Sequence, residues 1–296
     1  MSTSVMSLTV ITATLWFLTL LAFAGLQIAT STTDYKYFFN FIQGNYSCSS
    51  SGAVTSPGFP LRHPTSSSHI YFYELEHLGP HGRIKVVFTD FFLDSVNKSV
   101  NMCNDEQNYL KIIDGKKSSR YCSFKRPAPH LSSTHNLRFE YHLNGKQRHH
   151  GYGVFSLNYS FITLQEAEEF ERGLRGGSYV QNTAYEVANI GHVSINILRA
   201  NTEWVDYLWY LRGRPGNRLL LNFLAVSINA SGSLEVRDGS TSQAPLLLLV
   251  QGNSTDVTDV LSTQATVYVH WHGHVSQYNR LRFVYSNVAP EEPQVS

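Results

Sequence analysis

The chain has 296 residues, 42% of them hydrophobic and 13% aromatic, which is enough for the cores of two ordinary domains. It carries 23 Lys and Arg against 22 Asp and Glu without a long run of either sign, which argues against nucleic acid or an anionic membrane surface as a partner. Three cysteines are too few for a disulfide-dense scaffold, so apolar burial must supply most of the stability.

The N-terminal segment is typical of a secretory signal. Residues 8–24 are almost wholly apolar and end in Ala22-Phe23-Ala24, a small-x-small pattern that signal peptidase cleaves, and a second cleavage point lies near Ala29. We therefore expect residues 1–29 to be a signal peptide and the protein to be secreted. The alternative is an uncleaved membrane anchor, because the apolar run is nearly long enough to span a bilayer.

Five Asn-X-Ser/Thr sequons occur in both halves of the chain and predict N-linked glycans at exposed positions. Their asparagines are Asn45, Asn97, Asn158, Asn229 and Asn253. Five sequons behind a signal-like segment favour the secretory route.

From Cys48 onward the sequence predicts strands. Short alternating or β-branched runs are each bounded by Gly, Pro, Asn, Asp or Ser, and no helical apolar period extends over twelve positions. In the first half the predicted strands cover residues 70–75, 83–88, 108–113, 136–141 and 154–159, with an extra strand at 35–42. Their number and spacing predict a β-sandwich.

Residues 163–175 interrupt this pattern. They concentrate charge and helix-forming residues ahead of glycines, which indicates a linker with about one helical turn. Strand-like runs then resume in the same order, at residues 209–211, 218–223, 234–236, 265–269 and 280–285. The tail, residues 289–296, holds two prolines and two glutamates, and we expect it to be disordered.

One segment occurs twice. Residues 108–115 (NYLKIIDG) form a predicted strand that ends in an Asp-Gly turn, and residues 233–239 (SLEVRDG) repeat it in the second half. With the matching strand order, the repeat predicts an all-β protein of two consecutive antiparallel β-sandwich domains, at residues 44–162 and 176–288.

Several short motifs of the first domain occur together in one known family of extracellular modules. They are residues 51–60 (SGAVTSPGFP), the aromatic residues 71–73, residues 91–94 (FFLD), the 109–115 segment and residues 151–155 (GYGVF). In order and spacing they resemble a CUB domain, which has a jelly-roll-like sandwich fold. The second domain keeps only the 233–239 segment and the strand pattern, without cysteine, and is similar to a divergent CUB domain.

The resemblance pairs Cys103 with Cys122 in a disulfide. Such a bridge closes a loop of about twenty residues and would contribute roughly 3 kcal/mol. The family's second cysteine would fall near His69, so Cys48 is left over. Three fates of Cys48 stay open: a buried or capped thiol, an intermolecular disulfide that links a dimer, or a pairing unlike that of the family.

Many CUB domains bind calcium through one Tyr, one Glu and two Asp, and calcium favours such hard oxygen ligands. The corresponding residues here are His63, Asp94, Asn108 and either His142 or Leu143. A single carboxylate remains, so the resemblance implies no high-affinity calcium site, and we expect no cofactor. Nearby acids that could rebuild a site differently are Asp90, Asp105 and Glu106.

Three histidines, His270, His272 and His274, alternate along one predicted strand. On one face of a strand they could supply zinc or copper ligands. The alternative is an exposed strand end whose histidines only titrate, because a metal site needs a fourth ligand and supporting hydrogen bonds. We expect that alternative and predict no metal site.

The sequence has no Gly-x-Ser-x-Gly, no His-Glu-x-x-His and no phosphate-binding loop. We therefore predict a non-enzymatic extracellular binding or adhesion module that contacts another protein, such as a receptor, a protease or a matrix component. The candidate contacts are the aromatic residues Tyr71, Tyr73, Trp204, Tyr207, Trp209 and Tyr210, although in a sandwich such residues are more often core. Three alternatives stay open: a membrane-anchored co-receptor or accessory subunit, a non-catalytic relative of a CUB-containing secreted protease, and a carbohydrate-binding CUB protein.

Overall fold

A computed structural model describes most of the chain between residues 36 and 289. The described residues are 36–44, 50–61, 68–79, 81–93, 103, 107–144, 153–175, 179–197, 204–228, 232–252, 257–274 and 279–289. In the first half the strands are β1 (Lys36–Gly44), β2 (Ser51–Thr55), β3 (His69–His77), β4 (Arg83–Leu93), β5 (Tyr109–Asp114), β6 (Lys117–Cys122), β7 (His130–Leu131), β8 (Asn136–Leu143) and β9 (Gly153–Ile162).

Helix α1 (Leu164–Arg175) follows. In the second half the strands are β10 (Tyr179–Val187), β11 (Ile190–Ile197), β12 (Trp204–Arg212), β13 (Arg218–Ser227), β14 (Gly232–Arg237), β15 (Leu246–Gln251), β16 (Val260–Leu261), β17 (Thr266–His274) and β18 (Asn279–Val288). The prediction of an all-β protein is confirmed.

The two halves form sandwiches of identical topology. The first combines a five-stranded sheet of order β1-β3-β8-β5-β6 with a four-stranded sheet of order β2-β9-β4-β7. The second combines β10-β12-β17-β14-β15 with β11-β18-β13-β16, so every strand has a counterpart in the same place. Both sandwiches are antiparallel except at one sheet edge, where β1 runs parallel to β3 and β10 runs parallel to β12. The repeat seen in the sequence is therefore a repeat of the whole domain topology.

Alternation of side chains explains why these segments form strands with a buried face. On β3, Tyr71, Tyr73 and Leu75 point into the first sandwich, whereas Phe72 and Glu74 lie on the outer face. Each sandwich has its own apolar core. Burial of these side chains supplies most of the folding free energy, at roughly 25 cal/mol per Å² of apolar surface.

Helix α1 is longer than the single turn that the sequence predicted. Its start is fixed by a capping box, in which the Thr163 N–H donates to Glu166 Oε2 at 2.8 Å and the Glu166 N–H donates to Thr163 Oγ1 at 3.3 Å. Ala167 is buried, and Lys85 Nζ lies 4.5 Å from the centre of the Phe170 ring. Packing against the first sandwich stabilises an amphipathic helix of twelve residues, longer than the single turn that was predicted.

The repeated Asp-Gly turn makes the same hydrogen bonds in both sandwiches. Asp114 accepts the Ser133 main-chain N–H at 2.8 Å and its hydroxyl at 2.7 Å. Asp238 accepts the Thr263 N–H at 3.0 Å and its hydroxyl at 2.6 Å. Gly115 follows with a φ of +57°, a conformation that glycine adopts without strain. Each aspartate thus fixes the end of the central β5 or β14 strand to the loop before β8 or β17.

Candidate binding surface and the interface between the sandwiches

The sandwiches contact each other through a buried arginine. Arg126 lies between β6 and β7 of the first sandwich and is 6% exposed. Its Nη2 donates to Asp206 Oδ1 at 2.7 Å and to the Asp206 carbonyl at 3.2 Å, and its Nε donates to Thr183 Oγ1 at 3.2 Å. Its Nη1 donates to the Phe88 carbonyl at 3.1 Å. The guanidinium therefore joins β4 of the first sandwich to β10 and β12 of the second.

Asp206 has a second partner on the neighbouring strand. His270 Nε2 lies 2.8 Å from the carboxylate oxygen that Arg126 contacts. Burial alone would raise the pKa of Asp206, but the hydrogen bond with His270 and the charge of Arg126 outweigh burial and hold the pKa well below its usual range. Since an ionised carboxylate only accepts, His270 donates. Burial, together with the charges of His272 and Arg126, lowers the pKa of His270 by more than Asp206 raises it, which favours a neutral imidazole next to Arg126.

Two tyrosines satisfy backbone groups at a bulge of β4. The pairing of β4 with β9 shifts register between Phe88 and Asp90. At this bulge the Phe91 N–H donates to the Tyr210 hydroxyl at 3.0 Å, and the Tyr268 hydroxyl donates to the Thr89 carbonyl at 3.1 Å. A bulge leaves ladder groups unpaired, so these contacts remove the cost of burying them.

A third polar contact involves Asp90, whose side chain is fully buried. Its Oδ1 accepts the Ser242 N–H at 2.7 Å, and its Oδ2 accepts the Ser242 hydroxyl. Burial raises the pKa of Asp90, and the Ser242 hydrogen bonds offset only part of that rise. Asp90 is therefore used in the contact between the sandwiches.

An apolar cluster lies beside these polar contacts and takes side chains from both sandwiches. Its buried members are Phe92, Val154, Leu208, Tyr210 and Tyr268, with Phe59 packed against them. Together, the ion pair, the bulge contacts and this cluster cover the outer face of β12 and β17.

Sequence reasoning did not identify this interface. The available signal was β12 itself, whose residues WVDYLWYL are apolar on both faces, as expected of a strand that is covered on both sides. Of the aromatic candidates, Trp204 and Tyr207 are half-buried. The other four, Tyr71, Tyr73, Trp209 and Tyr210, are buried. Of these, Tyr210 contacts the other sandwich and the rest belong to the two cores.

The equivalent face of the first sandwich keeps charged side chains exposed, among them Arg120 and Arg138. The repeated segments align Lys111 with Glu235, and strand pairing sets Lys111 opposite Glu140 and Glu235 opposite His270. Glu140 thus occupies the position that His270 has at the interface. We call the outer face of β5, β6 and β8 the exposed sheet face. It comprises Tyr109, Lys111, Arg120, Arg138, Glu140 and His142, of which Arg120 and Arg138 are exposed and Tyr109 and Glu140 are buried.

Charged and aromatic contacts organise the exposed sheet face. Glu140 accepts from Lys111 Nζ at 3.1 Å and pairs with Arg138 Nη2 at 3.2 Å. Burial alone would raise the pKa of Glu140, but Lys111, His142 and Arg138 together outweigh burial and the pKa is lowered. The Tyr109 and His142 rings stack with centroids 4.3 Å apart, and Arg120 lies 4.6 Å from the Tyr109 centroid. The Arg138 side chain is 45% exposed.

The calcium-ligand positions that are described do not fit a calcium site. Asn108 is fully buried, and its Oδ1 accepts the Asn144 N–H at 2.8 Å. His142 stacks on Tyr109 and lies 3.5 Å from Glu140, and Leu143 belongs to the core. The positions His63, Asp94, Asp105 and Glu106 lie outside the described residues. The absence of calcium remains a prediction.

The two histidines of β17 whose side chains are described lie beside carboxylates. The His270 and His272 rings lie 4.5 Å apart; His270 pairs with Asp206, and His272 Nε2 is 4.0 Å from Glu235 Oε1. The backbone of His274 pairs with Trp204, and the His274 side chain lies outside the described part of the structure. Among the residues that the structure describes, no group of three or more His, Cys, Asp or Glu side chains could hold a metal ion.

The predicted disulfide is present, with Cys103 and Cys122 Cα atoms 5.7 Å apart. Among the sequon asparagines, Asn158 is described and lies exposed on β9. The other four, Asn45, Asn97, Asn229 and Asn253, lie outside the described residues, as do Cys48, the predicted signal segment 1–29 and residues 290–296. No helix within the described stretches has the length and apolar character needed to cross a bilayer.

Comparison with known proteins identifies the first sandwich. The CUB domain family model matches residues 43–159. Cubilin of Rattus norvegicus is 27% identical over 249 residues, which are 79% of this chain and 6% of cubilin, so the chain spans a small part of that relative. The CUB1-EGF-CUB2 domain of human MASP-1/3 is similar at 15% identity and a TM-score of 0.32, covering 80% of this chain and 99% of that one.

A crystal structure of the MASP-1 CUB2 domain bound to Ca²⁺ is similar at 23% identity and a TM-score of 0.30, over 40% of this chain and 96% of that one. The motifs at residues 51–60 and 109–115 and the Cys103–Cys122 disulfide all lie within the range that the family model matches. Residues 43–159 of the chain therefore match the CUB domain family, as the motifs of the first sandwich predicted.

Proposed function

We propose that the protein is a secreted, non-enzymatic binding protein that recognises another extracellular protein through the exposed sheet face of its first sandwich. CUB domains mediate protein–protein interactions outside the cell. One observation carries the assignment to this face: the equivalent face of the second sandwich, around His270 and Tyr210, is the surface that another sandwich covers. The equivalent sheet face of the second sandwich thus already forms a contact between two domains of this chain.

The composition of the exposed sheet face supports a partner with an acidic surface. Lys111, Arg120 and Arg138 lie on it, and the β5–β6 hairpin adds exposed Lys116 and Lys117. The acidic member, Glu140, pairs with Lys111 and Arg138, and the face as defined keeps a net positive charge. Arginine and tyrosine are enriched among residues that dominate binding energy, and prior stacking lowers the entropy lost on binding.

Affinity capture tests the proposal. The purified glycosylated protein is used as bait on extracellular fluid and on cell-surface extracts, with and without EDTA. The variant Arg120→Glu/Arg138→Glu reverses two exposed charges, and we expect it to lose the captured partner, because like charges across an interface weaken binding. The matched control is Arg282→Glu, an exposed strand arginine of the second sandwich.

The outcomes separate the candidate functions. A partner that both variants retain overturns the assignment to the exposed sheet face. Loss of the partner on glycosidase treatment of the extract favours carbohydrate binding, and loss on chelation shows that a calcium site exists. Recovery of catalytic turnover with the purified chain contradicts a non-enzymatic role.

Secretion is tested by sequencing the mature N-terminus. We expect it near Gly25 or Thr30, after cleavage at one of the two small-x-small positions. Recovery of intact Met1 in a membrane fraction would instead support the anchored co-receptor or accessory subunit.

A further inference from the structure

Strand β1 forms an apolar edge of the first five-stranded sheet. It is last in the sheet order, and among the described strands it pairs with β3 alone. Phe38, Phe39 and Phe41 are 42%, 75% and 57% exposed. Phe39 stacks on Phe72 of β3, with ring centroids 4.7 Å apart. Long apolar edge strands without proline pair readily with other strands, so natural proteins normally cover or charge them.

The counterpart strand in the second sandwich has Asn182 and Thr183 where β1 has Phe38 and Phe39, and it is partly covered. Pairing sets Phe39 beside Phe72 and Thr183 beside Leu208, so Phe39 and Thr183 occupy equivalent positions. Thr183 accepts from Arg126 of the first sandwich, and Gln181 Nε2 donates to the Pro127 carbonyl at 3.3 Å. The two edges therefore differ: β10 is part of the intrachain interface, and β1 carries exposed phenylalanines at the same sheet position.

The sequence of β1 is complementary to itself when read in the opposite direction. The nine residues are centred on Asn40. In an antiparallel pair of two copies, Phe39 of one copy stands opposite Phe41 of the other, and Phe38 stands opposite Ile42. Such aromatic and β-branched cross-strand pairs stabilise sheets. In the same register Lys36 of one copy stands opposite Gly44 of the other copy. Glu76 lies near that end, because it pairs with Gln43 in its own copy.

We infer that β1 is a dimerisation edge whose occupant is β1 of a second copy of this chain. Antiparallel pairing about Asn40 gives a closed two-fold contact, in which the same strand is used by both partners. It joins two five-stranded sheets and brings Phe39, Phe41 and Phe72 of each copy together on the outer face. This inference does not depend on the proposed partner of the exposed sheet face.

The contact is distinct from a disulfide-linked dimer through Cys48. Antiparallel pairing puts the two Gly44 ends at opposite ends of the paired strands, about 30 Å apart for nine residues. Cys48 follows Gly44 by four positions, so the register does not favour a bond between the two Cys48 thiols. A Cys48→Ser background therefore separates the two modes of association.

Sedimentation velocity of the full glycosylated chain in the Cys48→Ser background is the first test. We expect a concentration-dependent dimer, and we expect Phe39→Lys/Phe41→Lys to weaken self-association at least about 100-fold, because charges on an edge strand oppose pairing. Ile190→Lys is the matched control, since Ile190 is 71% exposed at the edge of another sheet and should leave the dimer unchanged. Circular dichroism establishes that each variant is folded.

Crosslinking tests the register. Asn40→Cys should give a disulfide-linked dimer on mild oxidation, because the two Asn40 positions face each other at the two-fold axis. Gln43→Cys is the control, which should crosslink much less. A wild-type protein that sediments as a monomer at all concentrations overturns the inference. Dimerisation unaffected by the lysine pair, or capture of a different protein's strand at β1 instead of a second copy, also overturns it.

Discussion

Arg126 of the first sandwich and Asp206 of the second form an ion pair of 2.7 Å in which the arginine side chain is 0% and the aspartate 7% exposed. Two charges are removed from water at this contact, which is costly unless every partner is in place. His270, Thr183 and the Phe88 carbonyl complete the hydrogen bonds. The pair therefore specifies one relative placement of the two sandwiches and penalises others.

Removing one member of this pair should be strongly destabilising. Asp206→Ala leaves the Arg126 guanidinium buried without its carboxylate, and we expect a loss of about 3–5 kcal/mol in the free energy of unfolding. Urea denaturation followed by tryptophan fluorescence measures it. Arg138→Gln is the control, because that arginine side chain is 45% exposed in its pair with Glu140 and the pair should contribute less than about 1 kcal/mol. Equal effects of the two variants would contradict the structural role of Asp206.

Acidification should weaken the interface in two steps. The pKa of His270 in the folded chain is lowered from its ordinary 6.5. Below pH 6.5 the unfolded chain therefore binds more protons than the folded one, and the free energy of unfolding decreases as the pH decreases. The pKa of Asp206 is also lowered, so its stabilisation is present above its ordinary 3.8 and is lost as pH falls through the folded value. Arg126, His272 and Glu235 also influence His270 or lie beside it, and their charges set the size of the first step.

His270→Gln tests the first step, since glutamine can still donate to Asp206 but does not titrate. We expect the fall in urea midpoint between pH 7 and pH 5 to be smaller in this variant than in the wild type. One titrating histidine can change the free energy of unfolding by up to about 1.4 kcal/mol per pH unit. His192→Gln, an exposed residue of β11, should keep the wild-type slope. Parallel pH profiles for wild type and His270→Gln would exclude His270 as the source.

The two Asp-Gly turns should respond alike to mutation. Asp114→Ala and Asp238→Ala each remove the acceptor for a main-chain N–H and a hydroxyl in a buried setting, and we expect each to cost about 1–3 kcal/mol. Thermal and urea unfolding measure both. The Asn variants retain one acceptor oxygen and should lose less. A large effect in one sandwich and none in the other would show that the repeated turns differ in their structural importance.

Calcium should not stabilise the protein. A site with a dissociation constant a hundredfold below the calcium concentration would add about 2.7 kcal/mol and raise Tm by several degrees. Because Asn108 Oδ1 already accepts the Asn144 N–H, we expect Tm in calcium and in EDTA to agree within about 1 °C. A shift of several degrees would show that acids outside the described residues complete a site.

The sequence supported the fold prediction because the relevant signals are local. Alternation along segments such as 70–75 and the Asp-Gly turns after β5 and β14 are readable within a few residues. The Cys103–Cys122 bond followed from the family resemblance. Helix α1 was underestimated because its stability comes partly from Ala167 and Phe170 packing on the first sandwich, which a local reading does not contain.

By itself, the sequence determined two repeated β-sandwiches, the turn chemistry of Asp114 and Asp238, and an amide at position 108. Only the tertiary structure decided which sheet face is covered and which is open. That choice depends on Arg126 meeting Asp206 and on Tyr210 meeting the β4 bulge, residues that are distant in the chain and whose partners are set by domain packing. The same topology thus yields a covered face in the second sandwich and an exposed one in the first.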